Sequence, residues 1–153
     1  MKILSPDQNI LDLSGGVYSW SPRNACVAWQ KTYRDLGKLI SSQRPGRLLL
    51  LVGPSGAGKS HHLAENTAEL AERYAAVVDA MFLTVISRSA VASIAVGAGW
   101  SVDAIVFNTS LATLLKRAKS RPDRRVPKEL LRNMHRKLQP PTTSEGFENV
   151  YNA

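Results

Sequence analysis

Gly53-Pro-Ser-Gly-Ala-Gly58-Lys59-Ser60 is the part of the chain best suited to chemistry. It fits G-x-x-x-x-G-K-[ST] at every fixed position. Its glycines let the backbone curl, so that successive N–H groups point into one concavity. A helix opening directly behind such a loop adds positive potential and amide donors. Gly53, Ser55, Gly56, Ala57, Gly58, Lys59 and Ser60 are therefore the candidate phosphate-binding residues. Lys59 supplies a mobile charge for the β- and γ-phosphates, and the Ser60 hydroxyl is a ligand for Mg²⁺. The cofactors this predicts are ATP and Mg²⁺. The loop alone does not separate a kinase from an ATPase or a GTPase.

A loop of this kind needs a strand before it and a helix after it. Arg47 to Val52 is a short apolar run suited to a strand buried on both faces. Residues 59–75 read as a helix with Leu63, Leu70 and Tyr74 on its buried side. Ala76–Ala80 and Val102–Asn108 read as further strands, and residues 85–98, which include Arg88, as a buried helix. Ser110 caps a helix that Pro122 ends, Pro127 starts another, and Phe147–Tyr151 suits a last strand. Strands alternating with helices predict an α/β fold of three layers around a small, mostly parallel sheet, the P-loop NTPase arrangement. Ahead of it, residues 1–22 read as irregular, and 23–42 as a helix with Cys26, Trp29, Tyr33, Leu36 and Ile40 on one face. The expected division is an N-terminal extension with one helix over 1–46 and a P-loop domain over 47–153.

Composition narrows the classes. Of the 153 residues 44% are hydrophobic and 21% charged, which excludes wholesale disorder. The one cysteine, Cys26, cannot form an internal disulfide, and three scattered histidines do not make a structural zinc site. The longest apolar run, Leu48–Val52, is far short of a membrane span. No signal peptide reads from Met1-Lys-Ile-Leu-Ser-Pro, so the expected compartment is the cytoplasm. The net charge of +8 is localised. Lys116, Arg117, Lys119, Arg121, Arg124, Arg125, Lys128, Arg132, Arg136 and Lys137 face only Asp123 and Glu129 within residues 116–137, and the rest of the chain balances. Such a block implies an anionic partner, a nucleotide's phosphates, a nucleic-acid backbone or a membrane surface, unless it is simply a solvated helix face.

Beyond the loop, an ordered series of pieces resembles the polynucleotide 5′-hydroxyl kinases and related small P-loop kinases. Val77-Val78-Asp79-Ala80 stands where that family has an Asp-Ala-Thr strand end, with Met81 in place of the threonine, and Arg88 follows. Then come Arg117 and Arg121 in an R-x-x-x-R pattern, Val126-Pro127, Met134, Pro140-Pro141 and Glu145-Gly146-Phe147. The resemblance covers residues 47–151. It implies transfer of the γ-phosphoryl group of ATP to a hydroxyl, with a polynucleotide 5′ end as the acceptor. It implies that Arg121 belongs to a phosphate-covering lid over 116–137, with Arg117 one turn away on the same helix face. Asp79 closes an apolar strand, where ligand sites of open parallel sheets lie. Its candidate roles are a Mg²⁺ partner, a contact to the acceptor hydroxyl, or a turn aspartate. The candidate catalytic residues are thus Lys59, Arg121 and Asp79, and the candidate metal ligands Ser60 and Asp79.

The chain departs from the family pattern in one respect. Family members place an extra strand and helix between the loop and the Asp-Ala-Thr strand, and that segment brings the aspartate that accepts the hydroxyl proton. Here only residues 61–78 intervene, and no residue of this chain matches that aspartate. His61 and His62 fall in the first helical turn behind the phosphates, a poor place for a base. The rival expectation is therefore a nucleotide-binding module that regulates or grips nucleic acid without transferring phosphate.

Overall fold

The computed structural model describes residues 1–120 and 126–153. Five strands form one sheet: β1 (Lys2–Leu4), β2 (Arg47–Val52), β3 (Ala76–Asp79), β4 (Ser101–Val106) and β5 (Asn149–Asn152). Their order is β1-β3-β2-β4-β5, and every neighbouring pair is parallel. The loop strand β2 therefore lies at the centre, flanked by β3 and β4.

Alternation along β2 sorts the core into two layers. Leu48, Leu50 and Val52 face one side, with Leu36 and Leu39 of α2 (Pro22–Ser42) and Val91, Ala92 and Ala95 of α5 (Val85–Gly97). Leu49 and Leu51 face the other, with Leu63 of α3 (Lys59–Glu65), Leu70 of α4 (Thr67–Arg73) and Leu114 of α6 (Leu111–Lys119). All five of these β2 side chains are fully buried. Helices on both faces of an all-parallel sheet make the expected three-layer α/β fold. The chain then runs through α7 (Lys128–Lys137) and a short 3-10 turn at Thr143–Glu145 into β5. Among the described residues, no helix is long and apolar enough to cross a membrane.

The N-terminal stretch differs most from expectation. Residues 1–22 are not irregular: they hold β1 and α1 (Pro6–Leu13). The segment 1–46 thus carries a strand and two helices rather than one helix. Ser5 caps α1 by accepting from the Gln8 N–H, and Pro6 takes the first helical position, where no N–H is needed. Leu4 and Ile10 are buried, and Asn9 donates to Thr32 Oγ1 (2.9 Å), tying α1 to α2. The strand itself pairs with β3, Leu4 beside Val78. The helix expected over 59–75 is divided at Asn66, which ends α3 and precedes α4. Its side-chain Nδ2 donates to the His62 carbonyl (2.8 Å), competing with the regular helical ladder.

Candidate active site

The loop leaves β2 and turns sharply at Gly53. A Cβ there would lie 2.9 Å from Phe107 Cβ, so only glycine passes beneath β4's continuation. The Gly53 N–H donates to the Met81 carbonyl (2.8 Å), which links the loop to the turn after β3. Gly58 has φ +108, a conformation open to glycine and rare for other residues, and it delivers the chain into α3. Lys59 is buried, and its Nζ donates to the carbonyls of Gly53 (2.8 Å) and Pro54 (2.9 Å). The ammonium is thereby held over the loop.

Ser60 and Asp79 meet. The Ser60 hydroxyl donates to Asp79 Oδ2 at 2.7 Å, because the loop strand and β3 are neighbours and their C-terminal ends coincide. A hydroxyl and a carboxylate side by side are the hard oxygen donors Mg²⁺ prefers. Among the described residues, no group of three or more His, Cys, Asp or Glu could hold a metal by itself. A Mg²⁺ here would take the remainder of its shell from phosphates and water, as is usual for this ion.

The residue that the sequence pattern missed is Asp7. Leu4 of β1 is level with Val78 of β3, so the chain leaving β1 emerges beside Asp79. Asp7 lies in the first turn of α1, where the helix end favours a negative charge. The Tyr18 hydroxyl donates to its Oδ1 (3.1 Å). Asp7, Lys59, Ser60 and Asp79 line one cavity of about 670 Å³ at the C-terminal edge of the sheet. In the sheet, β1 occupies the position beside β3, and the chain that follows it brings Asp7 to this edge. The Ser-Pro-Asp cap preceding Ile10 could have revealed α1. The pairing of β1 with β3 left no local signal.

The other predicted residues fall as follows. Ser55, Gly56 and Gly58 line the cavity with Lys59, while Ala57 is buried behind them. Arg117 reaches the loop from its outer side: its Nη1 donates to the carbonyls of Gly56 (3.1 Å) and Ala57 (3.0 Å). Arg121 and the rest of 121–125 lie outside the described residues. His61 pairs with Glu65 (3.2 Å) on the exposed side of α3, and His62 sets its ring edge-on to Phe107.

The AAA domain model matches residues 62–141, just over half of the chain. The chain belongs to the AAA domain family. This is a family of P-loop NTPase-like domains that includes kinases, and its members bind nucleotide with a metal ion. The matched span of this AAA domain begins after Ser60, so the loop is identified by its own pattern and geometry. No curated protein matches the chain.

Arg88 of this AAA domain is structural. It is fully buried, and its guanidinium grips Glu145 through Nε (2.6 Å) and Nη2 (2.7 Å). It also donates to the carbonyls of Phe82 (3.1 Å), Gln139 (2.9 Å) and Pro140 (3.4 Å). Burial alone would raise the Glu145 pKa; hydrogen bonds from Arg88 and from Thr142 outweigh it and hold the carboxyl below its ordinary value. This clamp fixes the turn after β3, at Phe82, against the C-terminal segment.

Proposed function

We propose that this P-loop domain transfers the γ-phosphoryl group of ATP·Mg²⁺ to a hydroxyl acceptor, with Asp7 accepting the hydroxyl proton. The observation that carries this reading is the shared cavity. A nucleotide loop, the Ser60–Asp79 oxygen pair and a separate carboxylate from another strand end converge on it. A simple nucleotide-binding module has no use for the third group.

Ser60 and Asp79 would hold a Mg²⁺, which would supply positive charge against the charge developing on the transferring phosphoryl group. The loop amides and Lys59 orient the triphosphate. Asp7, steadied by Tyr18, takes the proton as the acceptor oxygen bonds to the γ-phosphorus. The bond from that phosphorus to the β–γ bridging oxygen breaks, and ADP leaves. Arg117 supports the loop carbonyls from behind and is a positioning residue. Arg121 carries the lid role implied by the family resemblance, stabilising charge on the moving phosphoryl group. A polynucleotide 5′-hydroxyl is the acceptor that resemblance implies. The exposed cations of α6 and α7 support an anionic partner.

The test is radiolabelled transfer from ATP by the full chain and by Asp7→Asn, with ATP affinity measured by calorimetry. Asp7→Asn should lower kcat by about 10²–10⁴-fold with ATP affinity unchanged. Equal transfer by both proteins would remove Asp7 from the mechanism. ATP binding without transfer to any hydroxyl would favour the regulatory nucleotide-binding module instead.

A further inference from the structure

The cavity lining is of two kinds. The loop, Ser60, Asp79 and Asp7 supply polar groups. Apolar side chains come from three parts of the chain: Trp20 and Trp29 from the N-terminal segment, Met81 from the turn after β3, and Leu130 and Met134 from α7. Trp20 is 63% exposed, Leu130 43% and Met81 40%. Single exposed apolar side chains are ordinary, but several gathered in one lining form a recognition surface. Trp29 is fixed by ring contacts with Tyr33 (5.5 Å) and Phe82 (5.7 Å), so one wall is rigid. Met81 and Met134 are adaptable, and thioethers contact ring edges favourably.

Among the described residues, most basic side chains lie away from this lining. Among the described residues, Lys59 is the one lysine or arginine lining the cavity. On α7, Leu130 and Met134 are one turn apart and face inward, whereas Lys128, Arg132 and Arg136 follow the same spacing on another face and are exposed. A polynucleotide end would bring phosphates that need cations within the groove. The described walls offer rings and methionines instead. This inference rests on the phosphotransfer reading above, and it names the acceptor.

We propose that the acceptor is a small compound carrying a hydroxyl on or beside an apolar or aromatic ring. The ring sits between Trp20 and Trp29 on one side and Leu130 and Met134 on the other. The hydroxyl points inward to Asp7, and its phosphorylation follows the balanced step given above. A cavity of about 670 Å³ is within the range of small-molecule sites.

Three probes separate the possibilities: phenylethanol, thymidine and a 5′-hydroxyl oligothymidylate. Each is tested with the full chain for labelled transfer from ATP and, independently, for binding by calorimetry. Phenylethanol and thymidine should both be phosphorylated, and the phosphates of the oligonucleotide should not improve kcat/KM. Trp20→Ala, at an exposed position, should raise the KM for phenylethanol about tenfold while kcat changes by less than about threefold. An oligothymidylate kcat/KM about tenfold or more above that of both small probes would overturn the proposal in favour of a nucleic-acid end. An unchanged KM in Trp20→Ala would overturn the ring site. Absence of phenylethanol binding together with transfer to the oligonucleotide would sink this proposal and leave the kinase reading standing. Phenylethanol binding that Trp20→Ala weakens, without transfer to any probe, would overturn the acceptor role and the kinase reading together.

Discussion

Replacing Arg88 by methionine tests how the floor of the site is held. The guanidinium is fully buried and makes two bonds to Glu145 and three to backbone carbonyls. Methionine fills similar volume without donors. The Glu145 carboxylate, whose side chain is 12% exposed, then keeps its charge without its main partner. Removing one member of a buried pair costs about 3–5 kcal/mol. For a chain of this size, a kilocalorie moves the melting temperature by roughly 2–4 °C. Arg88→Met should therefore melt about 6–20 °C below the native chain.

The same pair sets an acid limit. The Glu145 pKa is lowered in the folded protein, so the pair's stabilisation is complete above the unfolded carboxyl pKa, about 4.3. It is lost as pH falls through the lower folded value. Thermal denaturation at neutral pH and through the acid range measures both effects. Arg88→Met should lose this part of the acid dependence as well as stability at neutral pH. A loss below about 1 kcal/mol would refute the assignment of Arg88 as the clamp of the Phe82 turn and the C-terminal segment.

Two further outcomes concern the loop. Lys59→Ala should weaken ATP about tenfold or more and AMP by less than about threefold, because the ammonium serves the β- and γ-phosphates; equal losses in calorimetry would contradict that placement. Gly53→Ala puts a Cβ 2.9 Å from Phe107 Cβ and 3.0 Å from the Phe107 carbonyl. The overpacking should cost about 1–3 kcal/mol and abolish the thermal stabilisation by ATP·Mg²⁺, and an unaltered melting curve with full nucleotide response would count against the tight crossing at Gly53.

The loop was legible in the sequence because its function is written in consecutive residues. Glycine at fixed intervals, a lysine and a hydroxyl make a phosphate cradle wherever a strand and a helix flank them. The apolar run of β2 and the helical spacing of α2 were legible for the same reason, since each pattern repeats within a few residues. Asp7 was not legible. Three-residue β1 has no period to read, and its meaning comes from lying beside Val77, which is remote in sequence. A parallel strand pair carries no turn signal, because its strands are joined by a long crossover rather than a tight hairpin. Arg117 and Arg88 make the same point from the other direction. Their residue type suggested phosphate chemistry or nothing specific, yet one supports loop carbonyls and the other is sealed in a buried clamp. Side-chain chemistry is local, whereas the partner that gives it a role is chosen by packing. The sequence determined that this chain carries a nucleotide-binding loop; only the tertiary structure decided that its N-terminal segment lines the same cavity.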